Sequence, residues 1–189
     1  MILVAGLDLE TTGLDPEDHR IIEIAICVYD LRTGNKVGSF EKRVHPQRTI
    51  QPKAQEVHGI SIEDLKGCPI WSEIAPKVNS ILSKCHVVVG HNGIGFDFPF
   101  LAIEQMKAGL ELPDNLKAVD TMTEARWATS DGKVPSLKEL AFSLGFEYDE
   151  SKAHAALYDV ELMMDCFFKA REKYGYFQID DIDGVSEAA

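Results

Sequence analysis

No apolar run in the chain approaches the ~20 residues that a membrane-spanning helix needs, so a helical integral membrane protein is excluded. Cysteine is scarce and scattered. Cys27, Cys68, Cys85 and Cys166 contain no C-x-x-C pair, which argues against a zinc site and against a disulfide framework. A reducing, cytoplasmic setting is the expectation. The N-terminus has no basic stretch leading to a cleavage site, so a secretory leader is not expected. Positive charge is also short: 19 Lys and Arg face 31 Asp and Glu, a formal net charge of −12. That balance weighs against broad electrostatic binding of nucleic acid. Only "EKRVHPQRTIQPK", residues 41 to 53, runs the other way, and on charge alone it reads as a solvated strand end and loop.

What is present suits one domain. A chain of 189 residues with 45% hydrophobic content can bury a sizeable core. Residues 2 to 9 read as a strand buried on both faces. "RIIEIAICVYDL", from Arg20, reads as a second strand, and "KVGSFEKRVH" follows as a third after the turn signal Thr33-Gly34-Asn35. From Pro52 the period becomes helical. Short helical pieces surround "VHGIS", with Ser61 and Asp64 suited to a helix start, and "SEIAPKVNSILSK" repeats its apolar residues at helical spacing. "HVVVGHN" is a short strand broken at glycine, "FDFPFLAIEQMKAG" a helix ending near Gly109, and "LKAVDT" a further strand. Helices are expected at about 121–128, at 136–144 with Ser136 as N-cap, and at 154–173. Three strands followed by alternating helices and strands predict one α/β domain with a mixed sheet. The domain is expected over residues 1–174, with 175–189 as an acidic, flexible tail.

Four carboxylates interrupt this pattern. Asp8 and Glu10, in "LDLETTGLD", stand one residue apart at the end of the first strand and therefore point the same way. A turn cap at Thr11-Thr12-Gly13 would account for one acid, but two same-facing acids repel unless something cationic compensates. A divalent ion is the simplest compensation, since Mg²⁺ and Mn²⁺ prefer carboxylate oxygen. Asp97 begins the helix after "VVVGHNGIG", where an acid also suits the helix dipole. Phe96, Phe98 and Phe100 around it read as core, Phe96 least clearly. Asp159 breaks a strongly apolar helix. His154 lies five residues earlier, which is ~500° of helix, so it reaches Asp159's surroundings only from the pre-helical loop or a frayed first turn. The strand before Asp97 should lie parallel and adjacent to the first strand, and ligands in such sheets gather at the strands' carboxyl ends. Four converging carboxylates suit two divalent ions ~3.5–4 Å apart, an arrangement that hydrolyses phosphodiesters, with a nearby His as general base.

These residues resemble a known family, the DnaQ-like DEDDh 3′→5′ exonucleases of the ribonuclease H-like superfamily. "DLETTGL" is similar to its first motif, "HNGIGFD" to its second and "HAALYD" to its third, with the His-x4-Asp spacing of the histidine subclass. "PQRTIQPKAQEVHGIS" resembles a segment of bacterial proofreading subunits, and "VPSLKELAFSLGF" the helix before motif three. The three residues between Asn92 and Phe96 make motif two more similar to exonuclease I-type enzymes. "LDPEDHRIIEIA" resembles oligoribonucleases, whose first motif has Met where Thr11 stands.

The resemblance covers about residues 2 to 170. It implies a ribonuclease H-like domain with a five-stranded mixed sheet, three antiparallel strands then two parallel, flanked by helices. It implies two Mg²⁺ or Mn²⁺ ions held by Asp8, Glu10, Asp97 and Asp159, with His154 as general base and Glu10 also catalytic. Thr11, Thr12, Leu14, His58, Asn92 and Phe96 are implied around the 3′-terminal nucleotide. Four of these have a plain alternative: Thr11 as a turn cap, Asn92 as a loop brace, Leu14 and Phe96 as packing.

The expected activity is 3′→5′ hydrolysis of single-stranded or frayed DNA, releasing nucleoside monophosphates, with a DNA polymerase as a candidate partner and no membrane. An exoribonuclease of the same fold is the enzymatic rival. A non-catalytic 3′-end or polymerase-binding domain is the other, and it would be expected to have lost one or more of the acids.

Overall fold

A computed structural model of the chain describes residues 1–152, 155–179 and 182. The first strand, β1 (Leu3–Thr11), divides the core by its alternation. Val4 and Gly6 face one side of the sheet, while Ala5, Leu7 and Leu9 face the other. β1 pairs antiparallel with β2 (Ile21–Asp30), which pairs antiparallel with β3 (Lys36–Arg43). On its other edge β1 runs parallel to β4 (Val87–Gly90), and β4 parallel to β5 (Lys117–Asp120). The order β3-β2-β1-β4-β5 is the expected mixed sheet of three antiparallel strands followed by two parallel ones.

Helices cover both faces. α1 (Pro52–His58), α2 (Trp71–Leu82) and α3 (Asp97–Lys107) follow β3 and flank β4, with α2 and α3 packed over Leu7, Leu9, Ile24 and Val88. α4 (Leu137–Ser143) and α5 (Ala156–Tyr174) cover Val4, Cys27, Val87 and Val119. Burying each large aliphatic side chain here stabilises the fold by roughly 1.5–3 kcal/mol before entropy is counted. α5 comes unusually close to β1 at Gly6, where a Cβ would stand 2.5 Å from Met164 Cγ and 3.0 Å from Val160 Cγ1. The missing side chain lets the first turns of α5, with Asp159, lie directly over the end of β1. No helix among the described residues is long and apolar enough to cross a membrane.

Several local expectations are met in detail. The hairpin turn places Gly34 at φ +70°. Ser136 caps α4, accepting from the Glu139 N–H at 3.3 Å while Glu139 Oε2 accepts from the Ser136 N–H at 2.9 Å. Others are not. Ser61 and Asp64 make the same reciprocal bonds, at 2.8 and 3.3 Å, but close only turns, because no apolar face follows to hold a helix there. The helix expected at about 121–128 shrinks to a 3-10 turn at Arg126–Ala128. Its preceding residues turn instead around Asp120, whose carboxylate takes the N–H groups of Met122 and Thr123.

Residues 175–179, placed in the expected tail, are among the described residues. Phe177 and Ile179 are buried, Phe177 stacks on Phe167 at 5.9 Å between centroids, and Tyr176 stacks on Trp127 at 4.3 Å. Their aromatic and aliphatic surface outweighs the acidic character of the segment.

Candidate active site

β1 outruns β4. The last β1–β4 pair is Gly6–Val89, whereas β1 stays paired with β2 to Thr11. Residues 8 to 10 therefore line an open end of the sheet beside the loop that leaves β4. Beyond the last strand pair, the Leu9 N–H donates to Asp97 Oδ1 at 3.0 Å, which anchors the start of α3 to β1. Asp8 and Glu10 lie on the α5 face, half-buried, and Asp159 comes down from the first turns of α5.

The electrostatics show that these groups share one site. Burial pushes the Asp8 carboxyl well above its ordinary value, and the neighbouring charges of Asp97, Glu10 and Asp159 push it further. Burial, Glu23 and Asp159 raise Glu10 to about 8. Burial raises Asp97 to about 7, against the lowering effect of the Leu9 N–H. Glu23 sits opposite Glu10 on β2, and Arg43 on β3 sits opposite Glu23 with Nε 2.8 Å from its carboxylate. One cation of the basic 41–53 stretch thus neutralises an acid that would crowd Glu10 further.

An all-carboxylate set that resists ionising fits a hard divalent cation, whose charge would supply what the protein does not. Among the described residues no three His, Cys, Asp or Glu side chains stand close enough together, as they are, to hold a metal ion. His154 lies outside the described residues.

Beside the acids a cavity of about 280 Å³ opens, at the small end of ligand clefts. Glu10 and Thr11 form one wall, Leu14 and Gly13 the lip, Val57, Ala54 and His58 the α1 side, and Phe96 the far side. Leu14 is 80% exposed and Val57 56%, an apolar surface left uncovered next to charged groups. The Thr11 hydroxyl donates to the Gly13 carbonyl at 2.7 Å and shapes the lip, and His58 Nδ1 accepts from the Ile60 N–H at 3.0 Å, which orients its ring.

Two expected residues are not brought to this cavity. Thr12 is fully buried and its hydroxyl is spent on scaffold, accepting from the Arg20 N–H at 3.0 Å and meeting His19 Nδ1 at 2.9 Å. Asn92 has φ +67° and its carbonyl accepts from the Gly95 and Phe96 N–H groups, so it braces the loop before α3. Gly13 packs against the His19 ring, where a Cβ would come within 2.4 Å, so the motif-one loop rests on a buried histidine.

Two residues that were not expected there also line the cavity. Gln51 and Lys53 line the cavity from α1 and the residue before it. Lys53 was visible only as part of a basic run. Tyr148 lies in the fields of Asp159 and Asp8, its hydroxyl pushed up to about 12 chiefly by burial. No short motif marks it.

The fold and the open end of β1 define an α/β domain with carboxylates gathered at one end of a mixed sheet. The family model RNase_T, described as exonuclease, matches residues 5–167, and the chain belongs to that family. DNA polymerase III subunit epsilon of Pasteurella multocida is 34% identical over 172 residues, covering 85% of this chain and 65% of that protein. The 3′-5′ exonuclease DinG of Bacillus subtilis is 30% identical over 168 residues, covering 88% of this chain and 17% of that protein. Escherichia coli exonuclease I, solved in complex with a dT13 oligonucleotide, superposes with a TM-score of 0.79 at 18% identity, over 93% of this chain and 42% of that one. The last likeness speaks to fold. The chain spans about two thirds or less of each of these proteins.

Proposed function

We propose that this chain is a divalent-metal-dependent 3′→5′ exonuclease acting on single-stranded or frayed DNA and releasing nucleoside monophosphates. The observation that carries this reading is the double membership of Glu10, which belongs both to the carboxylate cluster and to the wall of the adjoining cavity. A nucleoside seated in that cavity puts the phosphate of its own 5′ side over the acids. Cleavage then falls one nucleotide from the chain end. The cavity's modest size suits a terminus rather than a continuing strand.

In this mechanism Asp8, Glu10, Asp97 and Asp159 would hold two Mg²⁺ or Mn²⁺ ions. Such ions, when bound, lower the pKa of the attacking water and stabilise the leaving 3′ oxygen. His154 takes the proton of that water as general base. Leu14 and Phe96 close on the terminal base, and Thr11 and His58 bound the sugar. The net charge of −12 limits binding to a few nucleotides near the end, because few phosphates can be neutralised. DNA is favoured by the relatives, one a DNA polymerase subunit by name and one solved on a deoxythymidine oligonucleotide.

Oligonucleotides of DNA and RNA, labelled at either end, test the reading when digested with Mg²⁺, with Mn²⁺ and in EDTA. Mononucleotides released from the 3′ end of DNA, and no reaction in EDTA, are the expected result. Release from the 5′ end or full activity in chelator would overturn the mechanism, and a strong preference for RNA would overturn the substrate.

A further inference from the structure

Asp120 closes β5, fully buried, and its charge reaches Asp97 from behind the loop. Four backbone N–H groups converge on it. Oδ1 accepts from Asn92 at 3.1 Å, Met122 at 2.9 Å and Thr123 at 3.1 Å, and Oδ2 accepts from Ile94 at 3.1 Å. Two of these donors belong to its own turn, but Asn92 and Ile94 belong to the loop between β4 and α3. That loop ends on Phe96, which walls the cavity, and Asp97, which joins the acids.

The next residue adds a second tie. Thr121 Oγ1 lies 3.0 Å from His91 Nδ1 and 3.2 Å from the Gly90 carbonyl, while His91 Nε2 lies 3.1 Å from the Pro135 carbonyl. A carbonyl only accepts, so Nε2 carries a proton. The loop has little freedom of its own to substitute for these ties. Gly90 and Gly93 touch, so that a Cβ on Gly90 would stand 2.7 Å from Gly93 Cα, and the Asn92 carbonyl accepts from the Phe96 N–H at 2.9 Å. The path from Asp120 to Asp97 is therefore short and entirely backbone: Asp120 to the Asn92 N–H, the Asn92 carbonyl to the Phe96 N–H, and Phe96 to Asp97.

We infer that Asp120 is a positioning residue for the reaction, holding the loop that presents Phe96 to the terminal nucleotide and Asp97 to the metal. The role rests on the exonuclease reading above. The chemistry explains why the residue is Asp. Two carboxylate oxygens offer enough lone pairs for four donors, whereas an amide replaces one oxygen by a donor group. In Asp120→Asn the oxygen can keep three partners, and the NH₂ then confronts the Ile94 N–H. The loop is released while the β5 turn stays bonded.

The test compares the full-length parent with Asp120→Asn, Thr121→Val and Leu82→Ala, the last a core change in α2 that removes none of the loop's hydrogen bonds. Melting temperature against Mn²⁺ concentration is read without substrate, and KM and kcat on a DNA oligonucleotide are read separately. Asp120→Asn should shift the half-maximal Mn²⁺ concentration upward by ~10–100-fold, the usual effect of losing a partner that orients a metal ligand, and should raise KM. Thr121→Val, isosteric and expected to fold in any case, should shift both in the same direction by less. Leu82→Ala should lower the melting temperature yet keep the parent's Mn²⁺ midpoint. The role is overturned if both loop variants keep the parent's midpoint and KM, or if Leu82→Ala moves the midpoint as far. A parent with no Mn²⁺ response would overturn the exonuclease reading along with it, whereas a responsive parent with unmoved variants overturns the positioning role alone.

Discussion

The acid cluster at the end of β1 and the cavity beside it share a residue but obey opposite physics. In the cluster, Asp8, Glu10 and Asp97 are held where burial and mutual repulsion disfavour their charged forms. In the cavity, Leu14, Val57 and Phe96 expose apolar surface that costs the isolated fold little and awaits a partner. The first region is destabilised by what binding requires of it, and the second is nearly neutral. Removing an acid should therefore stabilise the metal-free protein and abolish the response to metal, whereas trimming the cavity should leave stability alone and weaken substrate binding.

The largest effect should come from His154, the one member of the proposed machinery that acts on the water and holds no ion. His154→Ala should lower turnover on the order of 10²–10⁴-fold, the worth of a general base, while the Mn²⁺-induced rise in melting temperature persists. Calorimetry showing that metal binding disappears in this variant would move His154 into the ligand set.

The cluster itself is tested next. At ~100 times its dissociation constant, Mn²⁺ should stabilise the parent by ~2.7 kcal/mol. Asp159→Asn should be at least as stable as the parent without metal and gain much less from it. Equal metal-induced shifts in the two proteins would detach Asp159 from a shared site.

A pH series tests whether burial and repulsion together hold these acids against ionisation. Glu10 and Asp97, raised to about 8 and about 7 from 4.5 and 3.8, bind protons more tightly in the folded protein than in the unfolded one. Their contribution to stability is complete below about pH 4 and is lost as the pH rises through 7 to 8. Urea melts in EDTA should therefore show declining stability across that window, and saturating Mg²⁺ should flatten the decline. A metal-free protein that gains stability between pH 5 and 8 would contradict the crowding of these acids.

The smallest effect is expected on the cavity side. Leu14→Ala removes an exposed side chain, so stability should change by no more than ~0.5 kcal/mol. The lost apolar contact with the terminal base, ~1–2 kcal/mol, should raise KM with kcat little changed. Steady-state kinetics on a short oligonucleotide check this. A fall in kcat with KM unchanged would place Leu14 in the chemistry instead.

Much of this molecule is legible in one dimension. Alternation in "LDLE" shows that Asp8 and Glu10 share a face, and the order of strand and helix periods carries the mixed sheet with β4 parallel to β1. Ser136 caps its helix through bonds that reach only three residues, which is why it could be read, and Ser61 misled because the same local bonds form with or without a helix beyond them. Local pattern also singles out the residue types that hold metal. What it does not carry is distance between segments far apart in the chain. Thr12 and Asn92 look like their neighbours Thr11 and Phe96 in a motif, yet the packing of His19 and the αL turn at residue 92 take them out of the cavity. Lys53 and Gln51 enter it because α1 folds back beside β1. Asp120, 23 residues after Asp97 in a strand that carries no motif, is tied to the Asp97 loop through β4–β5 pairing and a cluster of N–H groups. Side-chain periodicity is set by bonds within a turn or a pleat, and the sequence shows it directly. The meeting of a carboxylate with donors on another strand is set by the packed sheet, and only the tertiary structure decides it.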